Sequence, residues 1–208
     1  MDVFITRTAE EIDSAYERLS KARALGCDTE TSGFNSKVGK LFSLQFSDGD
    51  LNVLVPLSEG VEIGRLAQLL STNSIIKIFH NAKFDLEFLT AAGVRVNNLF
   101  DTMIAEKVLT RGANQSASLA ETLYRYFAVD LDKTQRSKFN RNWDGVWTDE
   151  LVHYALSDVV HLPALMEEQQ AWLAKLGLGD EFVRQMDRLS LQTNLPTSTI
   201  GDMPDGLP

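Results

Sequence analysis

The chain has 208 residues, an apolar share of 44 % and a net charge of −9 from 20 basic and 29 acidic residues. That composition is ordinary for a globular protein and fits one large domain, or one domain with appendages. No run of about 18 apolar residues occurs, which excludes a membrane-spanning helix, and the one cysteine, Cys27, excludes an internal disulfide framework. The opening MDVFITRTAEE has no basic stretch leading into an apolar one, so no secretory signal is expected and the cytoplasm is the default compartment. Taken alone, the negative charge argues against a nucleic-acid partner. Bound divalent cations reverse charge locally, however, and net charge governs solubility and steering more than it governs one groove.

Residues 2–5 (DVFI) read as a short strand. Thr8 and Glu11 have the spacing of a capping box, and Ile12, Ala15 and Leu19 follow at helical intervals, which predicts a helix over 9–22. Residues 24–30 read as a strand. Residues 41–47 and 51–55 flank Asp48-Gly49-Asp50 as a hairpin, and Pro56 stops its second strand. A helix over 61–70 and a buried strand over 75–79 come next. His80-Asn81 opens a helix over 82–92 that Gly93 closes.

Residues 101–109 and 117–127 look helical, with Asp101 at a position where an acid helps the helix start. Residues 130–147 are polar, basic and aromatic without a period. Thr148 caps a long helical stretch that Pro163 should break near residues 159–161. The ending TNLPTSTIGDMPDGLP reads as a loose tail or linker. The order is an early hairpin, then strand–helix, then mostly helices, which predicts an α/β domain on a mixed sheet with a mostly helical C-terminal half.

Three short patterns carry chemistry. In Asp28-Thr29-Glu30, residues two apart in a strand face the same way, so two carboxylates project together at a strand end. Paired acids there suit a hard cation that prefers oxygen ligands; the bland alternative is a solvated strand end. In Asn81-x-x-x-Asp85 the i, i+4 spacing puts both side chains on one helix face. Asn81 suits a helix cap, and Asp85 alone could be a surface acid. Tyr154-x-x-x-Asp158 repeats that spacing beside a buried stripe of Leu151, Ala155, Val159 and Leu162. Tyr154 alone could be core.

Together, in this order, the motifs DTET, HNAKFDLEFL and YALSD resemble the DEDD superfamily of 3′→5′ exonucleases, in the branch with tyrosine in the third motif. The resemblance runs from about residue 22 to 180. FDTMIAEKVL and SLAETLYRYF are similar to the proofreading domain of family-A DNA polymerases, and LDKTQRSKF is similar to ribonuclease D as well. The resemblance implies a ribonuclease H-like fold, with an exonuclease domain over 1–180 and a helical end and tail over 181–208. It implies two divalent ions, Mg²⁺ or Mn²⁺: Asp28 would bridge them, Glu30 and Asp158 would complete the first shell, and Asp85 would hold the second. Tyr154 would orient the attacking water, Asn81 would hold the terminal nucleotide, and Phe34 falls where relatives place an apolar wedge. Thr29 and Thr31, within the first motif, would contact substrate. Two such ions, typically about 3.5–4 Å apart, activate water and stabilise the leaving 3′ oxygen.

Lys133, Arg136, Lys138 and Arg141, with Trp143 and Trp147 after them, form the most basic stretch and suit a phosphate-tracking groove; a solvated loop is the alternative. His80, His153 and His161 form no zinc pattern and read as structural. Lys83 reads as an exposed helix lysine. The leading expectation is removal of nucleotides from DNA 3′ ends, alone or beside a DNA polymerase domain. An RNA-trimming enzyme like ribonuclease D is the alternative, and a silent nucleic-acid-binding module is a third reading. The intact acids weigh against the third. A Ca²⁺-loop domain is disfavoured because its ligands would lie within about a dozen residues.

Overall fold

Asp48 Oδ1 accepts the backbone amides of Asp50 and Leu51 at 3.0 and 2.8 Å. This side-chain turn reverses the chain between β3 (Leu41–Ser47) and β4 (Leu51–Val55), as the sequence predicts. The computed structural model describes residues 2–193. Its sheet has the strand order β1-β4-β3-β2-β5-β6, with β1 (Asp2–Ile5), β2 (Ala24–Thr31), β5 (Ile76–Phe79) and β6 (Leu99–Asp101) completing it. β1 and β4 are parallel, as are β2, β5 and β6, while β3 is antiparallel to both neighbours. This is the expected mixed sheet flanked by helices.

The helices are α1 (Ala9–Leu19), α2 (Leu66–Ser71), α3 (Ala82–Ala91), α4 (Thr102–Leu109), α5 (Leu119–Phe127), α6 (Asp149–Ser157), α7 (Leu162–Lys175) and α8 (Gly179–Thr193). The capping box of α1 is complete: Thr8 Oγ1 accepts the Glu11 amide at 3.2 Å, and Glu11 Oε2 accepts the Thr8 amide at 3.1 Å. A cap of this kind stabilises by about 0.5–2 kcal/mol. Ser118 and Thr148 likewise cap α5 and α6. α6 packs on β3 and β4, and α7 packs on β2 and β5.

Local details depart from the sequence reading. The helix expected over 61–70 is shortened to α2 and preceded by a 3-10 turn (Leu57–Glu59), with Gly60 and Gly64 in left-handed φ of 82° and 52° between the two. β6 was not expected; three residues are too few to show a period. α8 carries Phe182, Met186 and Leu189 into the same apolar core as the sheet, so packing continues past residue 180. The rest of the expected tail, residues 194–208, lies outside the described residues. Among the described residues, no helix is long and apolar enough to cross a membrane.

The predicted interruption of the long helical stretch is present. Pro163 sits in the first turn of α7, where its missing amide costs nothing. The Val159 carbonyl accepts instead from the Leu162 amide at 3.1 Å, in a tight bend between α6 and α7. That bend positions the site.

Candidate active site

Gly26, Asp28 and Glu30 alternate along β2 and share one face. A Cβ built on Gly26 would lie 2.5 Å from the Val159 carbonyl oxygen and 3.1 Å from Leu162 Cβ. Only glycine lets the α6–α7 bend press this closely on the strand. Asp158, one residue before Val159, is thereby brought over the carboxylates of β2. One carboxylate oxygen from each of Asp28, Glu30 and Asp158 lies within 4.8 Å of the other two.

Thr29 points to the opposite face. Its hydroxyl donates to Asp85 Oδ1 at 2.7 Å, so Asp85 reaches the end of β2 from the first turn of α3. The turn before α3 is fixed from a distance. Asp101 accepts the amides of Asn81 at 3.2 Å and Ala82 at 2.8 Å, and also those of Met103 and Ile104 at the start of α4. One carboxylate thus ties two helix starts together. Asn81 takes left-handed φ, 68°, and makes no side-chain capping bond. The expectation that Asn81 caps α3 by its side chain is therefore corrected, because Asp101 supplies that function.

A cavity of about 630 Å³ opens over this strand end. Its lining includes Asp28, Glu30, Asp85, Tyr154 and Asp158, with Thr29, Thr31, Phe34, Asn81, Lys133 and Arg136 around them. The whole expected set is brought together. Burial, then the neighbouring Asp85 and Asp158 charges, push the Asp28 carboxyl well above its ordinary range. Burial, with Asp158 next in effect, pushes Glu30 up to about 8. Burial raises Asp85 to about 7, against the opposing bond from Thr29. Buried, like-charged and oxygen-only, these groups fit a hard divalent cation, which would offset their mutual repulsion.

Some expected contacts are engaged within the protein. The Thr29 hydroxyl is committed to Asp85. The Thr31 hydroxyl donates to the Gly33 carbonyl at 2.9 Å. The Lys133 ammonium donates to Asp158 Oδ1. Phe34 is 80 % exposed, leaning edge-on against Phe84 at 6.0 Å, which rules out the core alternative for it.

The aromatic half of the groove expectation is corrected. Phe139 and Trp147 are buried, and Trp143 packs edge-on against both, with Phe42 against Trp143. Phe139 lies 5.8 Å from the Tyr154 ring. Trp147 Nε1 donates to Ser58 Oγ at 3.0 Å. These rings are a small core that fixes Tyr154, and burial drives the Tyr154 phenol above its ordinary pKa. His80 bridges Thr102 and the Ala117 carbonyl at 2.8 and 2.9 Å on the cavity's far wall, and burial lowers it to about 4. Sequence reasoning missed Gly26 and Phe139, and the second role of Asp101 at the start of α3, because each acts through partners distant in the chain.

A second cavity, about 670 Å³, lies between α4 and α8. The carboxylate cluster, found once among the described residues, belongs to the first.

A family model described as 3′-5′ exonuclease matches residues 3–170. The chain belongs to this 3′-5′ exonuclease family. It is 31 % identical over 189 residues to ribonuclease D of Nitrobacter hamburgensis, covering 89 % of this chain and 48 % of that one. It is 28 % identical over 187 residues to DNA polymerase I of Aquifex aeolicus, covering 88 % and 30 %. The chain thus spans about half the length of the ribonuclease D relatives it matches, and less of the polymerase. Among solved structures, Brucella melitensis NrnC with bound Mg²⁺ superposes with a TM-score of 0.77 at 26 % identity, covering 93 % of this chain and 92 % of that one. Escherichia coli RNase D shares the fold, with a TM-score of 0.81 at 20 % identity, covering 94 % and 52 %.

Proposed function

We propose that the chain removes nucleotides one at a time from nucleic-acid 3′ ends by metal-dependent hydrolysis, with RNA as the preferred polymer. The observation that carries the reading is the meeting of Asp28, Glu30 and Asp158 within 4.8 Å, with Asp85 beside them, at one end of the sheet. Divalent ions, Mg²⁺ or Mn²⁺, would supply Lewis acidity to the attacking water and to the departing 3′ oxygen. Asp28, Glu30 and Asp158 would hold one ion, and Asp28 with Asp85 a second. Thr29 holds Asp85 in place. Tyr154, kept protonated by its buried setting, orients the water as the tyrosine branch of the superfamily would. Phe34 stacks on a terminal base, and Asn81 hydrogen-bonds the last nucleotide. Arg136 and Lys133, which line the same cavity, bind phosphates.

The preference for RNA rests on the run of ribonuclease D relatives at 28–31 % identity. It reverses the order expected from sequence, which put DNA first. DNA remains the second reading, supported by the DNA polymerase I relatives. The chain matches NrnC over nearly its full length, and that protein has been solved bound to pGG, which makes pGG a third probe.

Initial rates on single-stranded RNA, single-stranded DNA and pGG, with Mg²⁺ or Mn²⁺, test the substrate assignment. Faster release of mononucleotides from RNA or pGG is expected. Faster release from DNA would restore the DNA reading. A polymerase partner stays tied to that second reading.

A further inference from the structure

Lys133 touches both residues of the third pattern. Its Nζ donates to Asp158 Oδ1 and lies 5.7 Å from the centroid of the Tyr154 ring. The residue precedes the 3-10 turn Thr134–Lys138, which Asp132 pins by accepting the Thr134 amide at 2.8 Å. The Lys133 side chain is 34 % exposed and that of Asp158 14 %, so the ammonium enters from the mouth of the cavity and is not locked in the core.

Asp158 is also one of the three carboxylates that converge on a cation site. An ammonium and a divalent cation on the same carboxylate repel one another. A phosphate oxygen is a strong alternative acceptor for the ammonium. Four rotatable bonds let the lysine head turn from one acceptor to the other without moving the backbone.

We propose that Lys133 is a positioning residue that couples metal loading to substrate binding: its ammonium leaves the Asp158 carboxylate for a substrate phosphate as a divalent ion is taken up. The inference rests on the hydrolytic reading above. Metal weakens the Lys133–Asp158 contact and makes the ammonium available to phosphate, while phosphate draws the ammonium away and leaves Asp158 to the metal. Each ligand then tightens the other by the same factor, as linkage requires. A lysine present only for packing would add nothing to the coupling that direct contact of metal with phosphate already gives.

The test is calorimetric titration of the full chain with Mn²⁺, alone and with a short single-stranded RNA carrying phosphorothioate linkages that resist cleavage. In the wild type, the RNA should tighten Mn²⁺ binding by about fivefold or more. K133M should bind Mn²⁺ alone about threefold more tightly than wild type, and the RNA should then tighten it by about threefold less than it does in wild type, the remainder being direct contact of metal with phosphate. K133Q should match K133M, and K133R should keep most of the coupling. Equal Mn²⁺ affinity and equal tightening by RNA in wild type, K133M and K133Q would overturn the proposal and leave the hydrolytic reading standing. Wild-type protein that binds no Mn²⁺ would overturn the hydrolytic reading itself.

Discussion

The Thr29 hydroxyl donates to Asp85 Oδ1 at 2.7 Å, joining two side chains 56 residues apart. Thr29 stands between the two acids of the first motif but faces away from them, so one strand end carries two carboxylates and fixes a third. Removing the hydroxyl leaves a buried acceptor unpaired, which costs about 1–3 kcal/mol. Thr29→Val should therefore lower the melting temperature and reduce kcat/KM by about 10–100-fold, the usual cost of losing an outer-shell partner of a metal ligand. Thr29→Ser should restore both. Wild-type kcat/KM in Thr29→Val would show that the position of Asp85 does not depend on this bond.

Gly26 is the second supporting position. Adding one methyl there meets the Val159 carbonyl at 2.5 Å, a backbone atom that cannot rotate aside. Gly26→Ala should destabilise the fold by about 1–3 kcal/mol, as overpacking does. It should also weaken Mn²⁺ binding, because the bend that delivers Asp158 must retreat from Asp28. Calorimetry and thermal melting read the two effects separately. Unchanged metal affinity in a destabilised variant would detach the bend from the site.

The raised acids give stability a signed pH dependence. Glu30 shifts from an ordinary 4.5 to about 8, and Asp85 from 3.8 to about 7. Between those values the folded state binds more protons than the unfolded state, so in EDTA the contribution of these groups falls as pH rises through the window. Divalent ions require the deprotonated forms and reverse the trend. The rise in melting temperature on adding Mn²⁺ should thus be larger at pH 8.5 than at pH 5, by several degrees for a shift of about 1 kcal/mol. An equal rise at both pH values would place the ion elsewhere.

Phe34 is 80 % exposed and contributes little to the core. Stacking of one base on an aromatic ring is worth about 1–3 kcal/mol. Phe34→Ala should leave the melting temperature within about a degree of wild type and weaken binding of single-stranded RNA by about 5–100-fold. Fluorescence anisotropy and a melting curve decide it. A drop in stability without a loss of binding would make Phe34 a packing residue.

Features written in short stretches of sequence were legible from it. The capping box at Thr8 and Glu11, the Asp48 turn, the alternation of Asp28 with Glu30 and the break ahead of Pro163 all arise from contacts a few residues long, and each is found where the spacing puts it. Long-range contacts were not legible. Nothing near Gly26 announces that a helix bend will press on it. Asp101 reads as one helix start, yet it serves two. Phe139, Trp143 and Trp147 interleave with basic residues as a stacking platform would, and only the fold packs them on one another, with Phe139 against Tyr154. The helix expected over 61–70 forms only from Leu66, because Gly64 takes a left-handed turn inside that stretch.

The most direct test of the hydrolytic reading is a gel of 5′-labelled single-stranded RNA incubated with wild type and with Asp28→Ala, in Mn²⁺ and in EDTA. A ladder that shortens from the 3′ end, present only for wild type with metal, is the predicted result. An intact RNA in the presence of folded, Mn²⁺-binding wild type, or an equal ladder from Asp28→Ala, would contradict it and leave a protein that holds nucleic acid without cutting it or cuts it by other residues.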